Sequence, residues 1–287
     1  MEIRFMKSGH TSINHIKLNN GVEMPLIGLG TFPMNGLNLA LIVRKAVKMG
    51  YCSFDTASAY GNEKWLGRGI RFCGKKRSDL FITTKLSNHD QRIGNVKAAF
   101  QKSMLRLGMK YLDLYLMHWP NPETYLNSWK QMEALYKKGL VRAIGVSNFH
   151  RHHLERLLEI ADVVPVINQV ELHPLLSQTD LVEFCEKSEI RVSAYSPLAR
   201  MNEKLIKYEV LIDIAKRYQR TVPQIILRWD YQHQIVSIPK SSNPIRLKQN
   251  INIFDFNLSE DDMDLIDKLN INFRVRYDPD NCDFSKL

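Results

Sequence analysis

Four side chains in this sequence, Asp55, Tyr60, Lys85 and His118, can each hold, donate or accept a proton, and together they form a proton-transfer set. Each follows a short apolar run. Asp55 and Tyr60 come after Tyr51 to Phe54, Lys85 after Leu80 to Thr83, and His118 after Leu112 to Met117. Singly, a Tyr or His in such a place is more often a packed or surface residue, and an Asp with a Lys is more often a plain ion pair. Their joint appearance behind three consecutive runs favours chemistry. The ends of other runs are also polar or aromatic: Thr31 and Phe32, Trp119, Ser147 and Asn148, Gln169 and Glu171, Tyr195 and Ser196, and Lys240 to Asn243.

A scaffold that brings all these positions together is legible in the hydrophobic pattern. Ile16 to Leu18 and Val22 to Met24 alternate apolar and polar around Asn19-Asn20-Gly21, which predicts a hairpin. Eight apolar runs follow: Leu26 to Leu29, the three already named, Val141 to Val146, Val166 to Val170, Arg191 to Tyr195 and Ile235 to Pro239. Between them lie helical patterns over Leu39 to Met49, Ile93 to Leu107, Ser128 to Lys138, His152 to Ile160, Leu181 to Ser188 and Val210 to Tyr218. Strand and helix in alternation, with no linker or shift of composition, predict one α/β domain over residues 1–287, a closed (β/α)8 barrel with an N-terminal β-hairpin and a C-terminal extension. A dinucleotide-binding doubly wound sheet is disfavoured: Gly28-Leu29-Gly30 lacks the third glycine of its fingerprint, and the pair signals close packing at the first strand. In the barrel, the residues after the strands converge on one mouth.

Composition agrees with a globular chain. The 287 residues are 44% hydrophobic and 24% charged, too apolar for disorder and without the run of about 18 apolar residues that a membrane span needs. Forty Lys and Arg against 30 Asp and Glu give a net charge of +10, which fits either an anionic partner or a merely basic surface. The densest basic cluster, Lys75-Lys76-Arg77, is too short for a nucleic-acid tract. Cysteines 52, 73, 185 and 282 form no C-x-x-C pair and read as free thiols, and the first residues lack the apolar core of a signal peptide, so the expected location is the cytoplasm.

Six segments carry a family resemblance. They are Phe54 to Glu63 (FDTASAYGNE), Thr83 to Leu86 (TTKL), Asp113 to Pro120 (DLYLMHWP), Ile144 to Phe149 (IGVSNF), Asn168 to Glu171 (NQVE) and Ile238 to Ser241 (IPKS). With them the chain resembles the aldo-keto reductases from Ile16 to about Phe284, and its ending, Tyr277 to Phe284, is similar to the microbial branch of 2,5-diketo-gluconate reductases and protozoal prostaglandin F synthases. The resemblance implies a barrel enzyme, often monomeric, that reduces aldehydes and ketones with NADPH by direct hydride transfer, with no metal and no covalent intermediate. Its catalytic tetrad matches Asp55, Tyr60, Lys85 and His118 in all four identities. Tyr60 is then the general acid, Lys85 favours the phenolate and lowers the tyrosine pKa, Asp55 holds Lys85, and His118 orients the carbonyl.

The resemblance also implies where the cofactor lies. Ser147, Asn148 and Gln169 match residues that bond the nicotinamide carboxamide, Tyr195 matches the residue stacked on the ring, and Ser196 to Leu198 the loop passing the pyrophosphate. Lys240, Ser241, Ser242, Asn243, Arg246 and Asn250 match the segment that binds the adenosine 2′-phosphate and the adenine. Asn243 before Pro244 predicts a helix start whose free N–H groups face an anion, and Lys240 and Arg246 add charge. Phe32, His118, Trp119 and the segment after Asn270 are expected to bound the substrate pocket. The chain departs from the family in the short stretch Ala199 to Tyr208, where many members carry a long loop over the cofactor, and Arg200 there faces either the pyrophosphate or water.

His150, His152 and His153 invite a metal, but they lack a Cys or carboxylate at zinc spacing, so a solvated helix start is expected. The alternative function is a catalytically silent nucleotide-binding regulatory or structural protein on the same fold; the intact tetrad speaks against it. A small-molecule carbonyl is the expected partner, with neither nucleic acid nor membrane.

Overall fold

Antiparallel β1 (His15–Lys17) and β2 (Glu23–Pro25) open the fold, with Ile16 opposite Met24. Gly21 takes a φ of +84° in the turn between them, where a side chain would be strained. In this computed structural model, which describes residues 14–284, the hairpin is followed by eight parallel strands: β3 (Leu29–Gly30), β4 (Ser53–Asp55), β5 (Phe81–Leu86), β6 (Leu114–Met117), β7 (Ile144–Ser147), β8 (Ile167–Glu171), β9 (Arg191–Tyr195) and β10 (Val236–Ser237). The stretch bearing on a signal peptide, residues 1–13, lies outside the described residues.

Each strand pairs with the next in sequence, and the first and last strands meet as well. Gly28 N–H donates to Ser237 O and Ser237 N–H to Leu26 O, both at 2.9 Å, so the sheet closes on itself. Glycines at the first barrel strand permit close approach on both of its sides. A Cβ on Gly28 would come within 2.9 Å of Ser53 Oγ, and one on Gly30 within 2.8 Å of Ile238 O.

Helices alternate with the strands: α1 (Gly36–Lys48), α2 (Glu63–Arg71), α3 (Asn88–Ile93), α4 (Val96–Leu107), α5 (Tyr125–Lys137) and α6 (Arg151–Leu158). The second half holds α7 (Thr179–Lys187), α8 (Glu203–Ile206), α9 (Glu209–Tyr218), α10 (Val222–Gln232), α11 (Pro244–Ile251) and α12 (Glu260–Asp267). Apolar faces such as Leu39 and Val43 of α1, or Trp129 and Met132 of α5, fill the layer between helices and sheet. The hairpin residues Ile16, Leu18 and Met24 pack with Phe81, Leu114, Ile167 and Val236, all first residues of strands. They seal the end of the barrel opposite the strand C-termini.

The structure departs from the sequence pattern at identifiable places. The expected helix Ile93 to Leu107 begins only at Val96, with Ile93 ending α3, because Gly94 takes a φ of +72° and the Asn95 side chain caps α4. Helix α2 has Gly67 and Gly69 in its middle, which hides its propensity. In α10 the run from Gln224 to Asp230 is buried on all sides, so no narrow apolar stripe marks it.

Gly67 shows how closely the outer layer is packed. A Cβ there would lie 2.1 Å from Leu107 O at the end of α4. Gly67→Ala is therefore expected to destabilise the fold by about 1–3 kcal/mol through overpacking, overriding the ~1 kcal/mol that alanine normally adds to a helix interior. Urea unfolding of the two proteins measures this; a more stable variant would contradict the packing argument.

Candidate active site

At the C-terminal ends of the strands lies a cavity of about 830 Å³. It takes in Phe32, Asp55, Tyr60, His118, Trp119, Ser147, Asn148, Gln169, Tyr195, Ser196 and Leu198 from one set of strand ends and loops. Lys240, Ser241, Ser242, Asn243, Arg246 and Asn250 come from the loop after β10 and from α11. Lys85 sits beneath the floor, 1% exposed. All the site residues expected from the sequence are thus gathered at one mouth.

The centre is an ion pair that water hardly reaches. Lys85 Nζ donates to Asp55 Oδ1 and, at 3.0 Å, to Thr56 O. The other oxygen of Asp55 accepts from Gln169 Nε2 at 2.9 Å. The backbone makes this possible: Asp55 pairs in register with Thr83, and Lys85, two residues along β5, points to the same face. Burial is the strongest influence on Lys85 and acts downward, yet Asp55 and Tyr60 together outweigh it, so the ammonium is held above its usual range.

Tyr60 closes a 3₁₀ turn, Ser58–Tyr60, that Ser58 pins by donating to Lys85 O at 2.9 Å. Its ring lies 5.3 Å from Lys85 Nζ, 5.0 Å from the Phe32 ring and 5.7 Å, edge-on, from His118. The acidity of Tyr60 differs from the expectation. Burial pushes its pKa up and outweighs Lys85, which acts downward as predicted; Asp55 adds to the rise and Arg276 opposes it. The hydroxyl therefore keeps its proton at neutral pH. His118 is pushed well down, by burial first and then by Lys85 and Arg276, and is a neutral imidazole.

Around this centre Asn148, in a left-handed conformation with φ of 65°, donates from Nδ2 to His118 O at 2.9 Å and accepts from Tyr195 OH at 2.7 Å. Ser147 Oγ donates to Gln169 O at 2.9 Å. Asn148 Oδ1 keeps a second lone pair, and Gln169 Oε1 has no hydrogen-bond partner among the described residues. A carboxamide group could use both.

The far end of the cavity departs from the expected free helix N-terminus. Pro244 has no N–H, and the Asn243 side chain already accepts from Ile245 N at 2.8 Å and Arg246 N at 3.3 Å. The first-turn donors are occupied, so attraction for an anion comes from side chains. Lys240 and Arg246 are both exposed there, and Arg200, on a turn whose residues Ala199 to Met201 all have positive φ, lines the same cavity.

Sequence reading anticipated the C-terminal wall as a segment but missed its residues. Glu171, buried at the end of β8, accepts from Val275 N at 2.6 Å and Arg276 N at 2.9 Å. This grip sets Arg276 and Tyr277 against the cavity. Thr221, Pro223 and Gln249 are further wall residues that no motif marks. Of the ionised groups lining the cavity, four are the cations Arg200, Lys240, Arg246 and Arg276, and the one carboxylate, Asp55, is neutralised by Lys85. The cavity is built for an anion.

Comparison with known proteins agrees with this chemistry. A glyoxal reductase of Bacillus subtilis is 50% identical over 270 residues, covering 94% of this chain and 97% of the relative. A 9,11-endoperoxide prostaglandin H2 reductase of Trypanosoma cruzi is 45% identical over 270 residues, covering 93% of this chain and 95% of the relative. Among solved structures, an aldo-keto reductase enzyme from a Medee basin deep-sea metagenome library superposes with a TM-score of 0.91 at 42% identity, covering 93% of this chain and 99% of that one. A Bombyx mori aldo-keto reductase in complex with NADP gives 0.88 at 34%, covering 94% of this chain and 97% of that one. Residues 26–271 match the model of the aldo/keto reductase family. With the barrel, the four proton-handling side chains at its mouth and these relatives in agreement, the chain belongs to the aldo/keto reductase family and is an oxidoreductase acting on carbonyl groups.

Proposed function

We propose that the chain, working as a single barrel domain in the cytoplasm and as a monomer, reduces small aldehydes and ketones with NADPH, and that Tyr60 is the general acid. The observation that carries this reading is the junction, in one cavity, of a protonated Tyr60 beside the Lys85–Asp55 pair with an excess of cations that only an anionic ligand would use. When bound, the cofactor supplies the hydride that the carbonyl carbon accepts. Ser147, Asn148 and Gln169 hold its carboxamide and Tyr195 its ring face. Ser196 and Leu198 flank the pyrophosphate with Arg200, while Lys240, Ser241, Ser242, Asn243 and Arg246 take the 2′-phosphate and Asn250 the adenine. Arg246 can pair with a phosphate through two N–H groups at once, which favours NADPH over NADH.

At the other end Tyr60 delivers a proton to the carbonyl oxygen as it becomes an alkoxide. Lys85 makes that delivery possible by stabilising the tyrosinate left behind, and Asp55 keeps Lys85 charged and in place. His118, neutral, donates a hydrogen bond that orients the carbonyl. Phe32 and Trp119 exclude water around it. The glyoxal and methylglyoxal reductases among the relatives make small dicarbonyls the first substrates to try. Nucleic acid and membrane have no part in this reading.

Tyr60→Phe is expected to bind NADPH normally, by fluorescence titration, and to lose turnover by about 10²- to 10⁴-fold. Unchanged turnover would remove Tyr60 from the acid role. Arg246→Ala should cut the ratio of kcat/KM with NADPH to that with NADH by about ten- to a hundredfold, the worth of a charge-assisted contact; an unaltered ratio places the 2′-phosphate elsewhere. Because burial raises the Tyr60 pKa, carbonyl reduction should hold through neutral pH and fall only beyond the range where an ordinary tyrosine titrates. Arg276→Gln removes a cation that lowers this pKa and should move the alkaline limb of kcat/KM further up; a downward move refutes the assignment.

A further inference from the structure

We propose that His150, His152, His153 and Asp280 form a binding site for a divalent transition-metal ion of the zinc class, apart from the reductase cavity, which ties the C-terminal segment to the start of α6. The sequence presents three histidines with no carboxylate at zinc spacing; the fold supplies one. Asp280 Oδ2 lies 2.8 Å from His150 Nδ1, and its Oδ1 lies 3.3 Å from His152 Nε2 and 3.6 Å from His153 Nε2. One candidate ligand atom from each of the four residues can be chosen so that all lie within 4.8 Å of one another. Ligands placed tetrahedrally around zinc at its usual bond lengths stand about 3.3 Å apart, so the donors are already near the spacing that an ion would impose.

The donor chemistry selects the class of ion. Three imidazoles and one carboxylate suit Zn²⁺, Co²⁺ or Ni²⁺ and suit Mg²⁺ or Ca²⁺ poorly, since those prefer oxygen donors. The donors are crowded together. The rings of His152 and His153 stand 3.9 Å apart, and one carboxylate oxygen faces both.

Two contacts must change for binding. His150 Nε2 faces Arg274 Nη2 at 3.2 Å, and ligation through Nδ1 puts the ring proton on Nε2. Arg274 has other partners in Asp278, at 3.2 Å, and Gln178. His153 Nδ1 accepts from the His150 backbone N–H at 3.1 Å, so His153 joins through Nε2 by taking its proton on Nδ1 and releasing that bond. His150, His152 and Asp280 supply three ligands without that step. Since Arg276 and Tyr277 lie just before Asp280 and line the reductase cavity, an ion here also anchors the cavity wall.

The test is metal binding by the intact chain, purified without a histidine tag. Calorimetric titration with Zn²⁺ should give one equivalent per chain, Co²⁺ should give the intense visible bands of a tetrahedral site, and Zn²⁺ should raise Tm. His152→Gln changes an exposed side chain outside the reductase cavity and should lose the equivalent, the bands and the Tm shift; Asp280→Asn should do the same. Absence of Zn²⁺ binding by the wild type, or a His152→Gln protein that keeps the wild-type equivalent and cobalt spectrum, overturns the proposal. Carbonyl reductase activity does not enter either result.

Discussion

The site depends on one buried ion pair. Lys85 and Asp55 are almost without solvent, and leaving either charge unpaired in such a place costs about 3–5 kcal/mol. The surroundings therefore satisfy both ends, with Thr56 O on the ammonium and Gln169 on the carboxylate. Two neighbouring parallel strands in the right register are needed to aim the pair inward, and the 3₁₀ turn after β4 is needed to bring Tyr60 over it. Burial alone would make the tyrosine a poor acid; the adjacent ammonium is what keeps proton loss within reach. The low dielectric that makes the pair costly is also what makes it effective on Tyr60.

The surplus of positive charge acquires a local meaning in the cavity. Four cations and one neutralised carboxylate form a field that draws in phosphate-bearing molecules from solution and weakens as salt is added. The cations are spread over the loops after β9 and β10, the start of α11 and the C-terminal segment, so no run of basic residues announces them in the sequence. Other basic residues form ordinary surface pairs, such as Lys187 with Glu183 and Lys207 with Glu203, and add nothing to the surplus.

What could be read from the sequence follows a physical division. The eight strands and the four proton-handling residues were legible because apolar runs and residue types are local properties. The close approach at Gly28 and Gly30 was legible too, since few residues other than glycine fit there. Burial is a property of the fold, so the direction in which the Tyr60 pKa moves was misjudged from its neighbours alone. Long-range hydrogen bonds were equally hidden: nothing near Glu171 shows that it holds residues 275 and 276, and nothing near His150 shows that Asp280 will face it. The expected anion site at the start of α11 failed for a related reason, because a good N-cap such as Asn243 both creates a helix terminus and occupies its donors.

The hold of Glu171 on the C-terminal segment has a consequence for how such a pocket diversifies. Its carboxylate bonds two backbone N–H groups and no side chain of that segment. A grip on the main chain is indifferent to residue identity, proline excepted. Position 276 can therefore exchange charged for neutral while the peptide stays docked at the barrel rim, whereas the Val275 side chain packs against the core. The barrel supplies fixed chemistry, and a backbone grip at residues 275 and 276 lets the charge of the entrance be rewritten with little effect on the strands beneath.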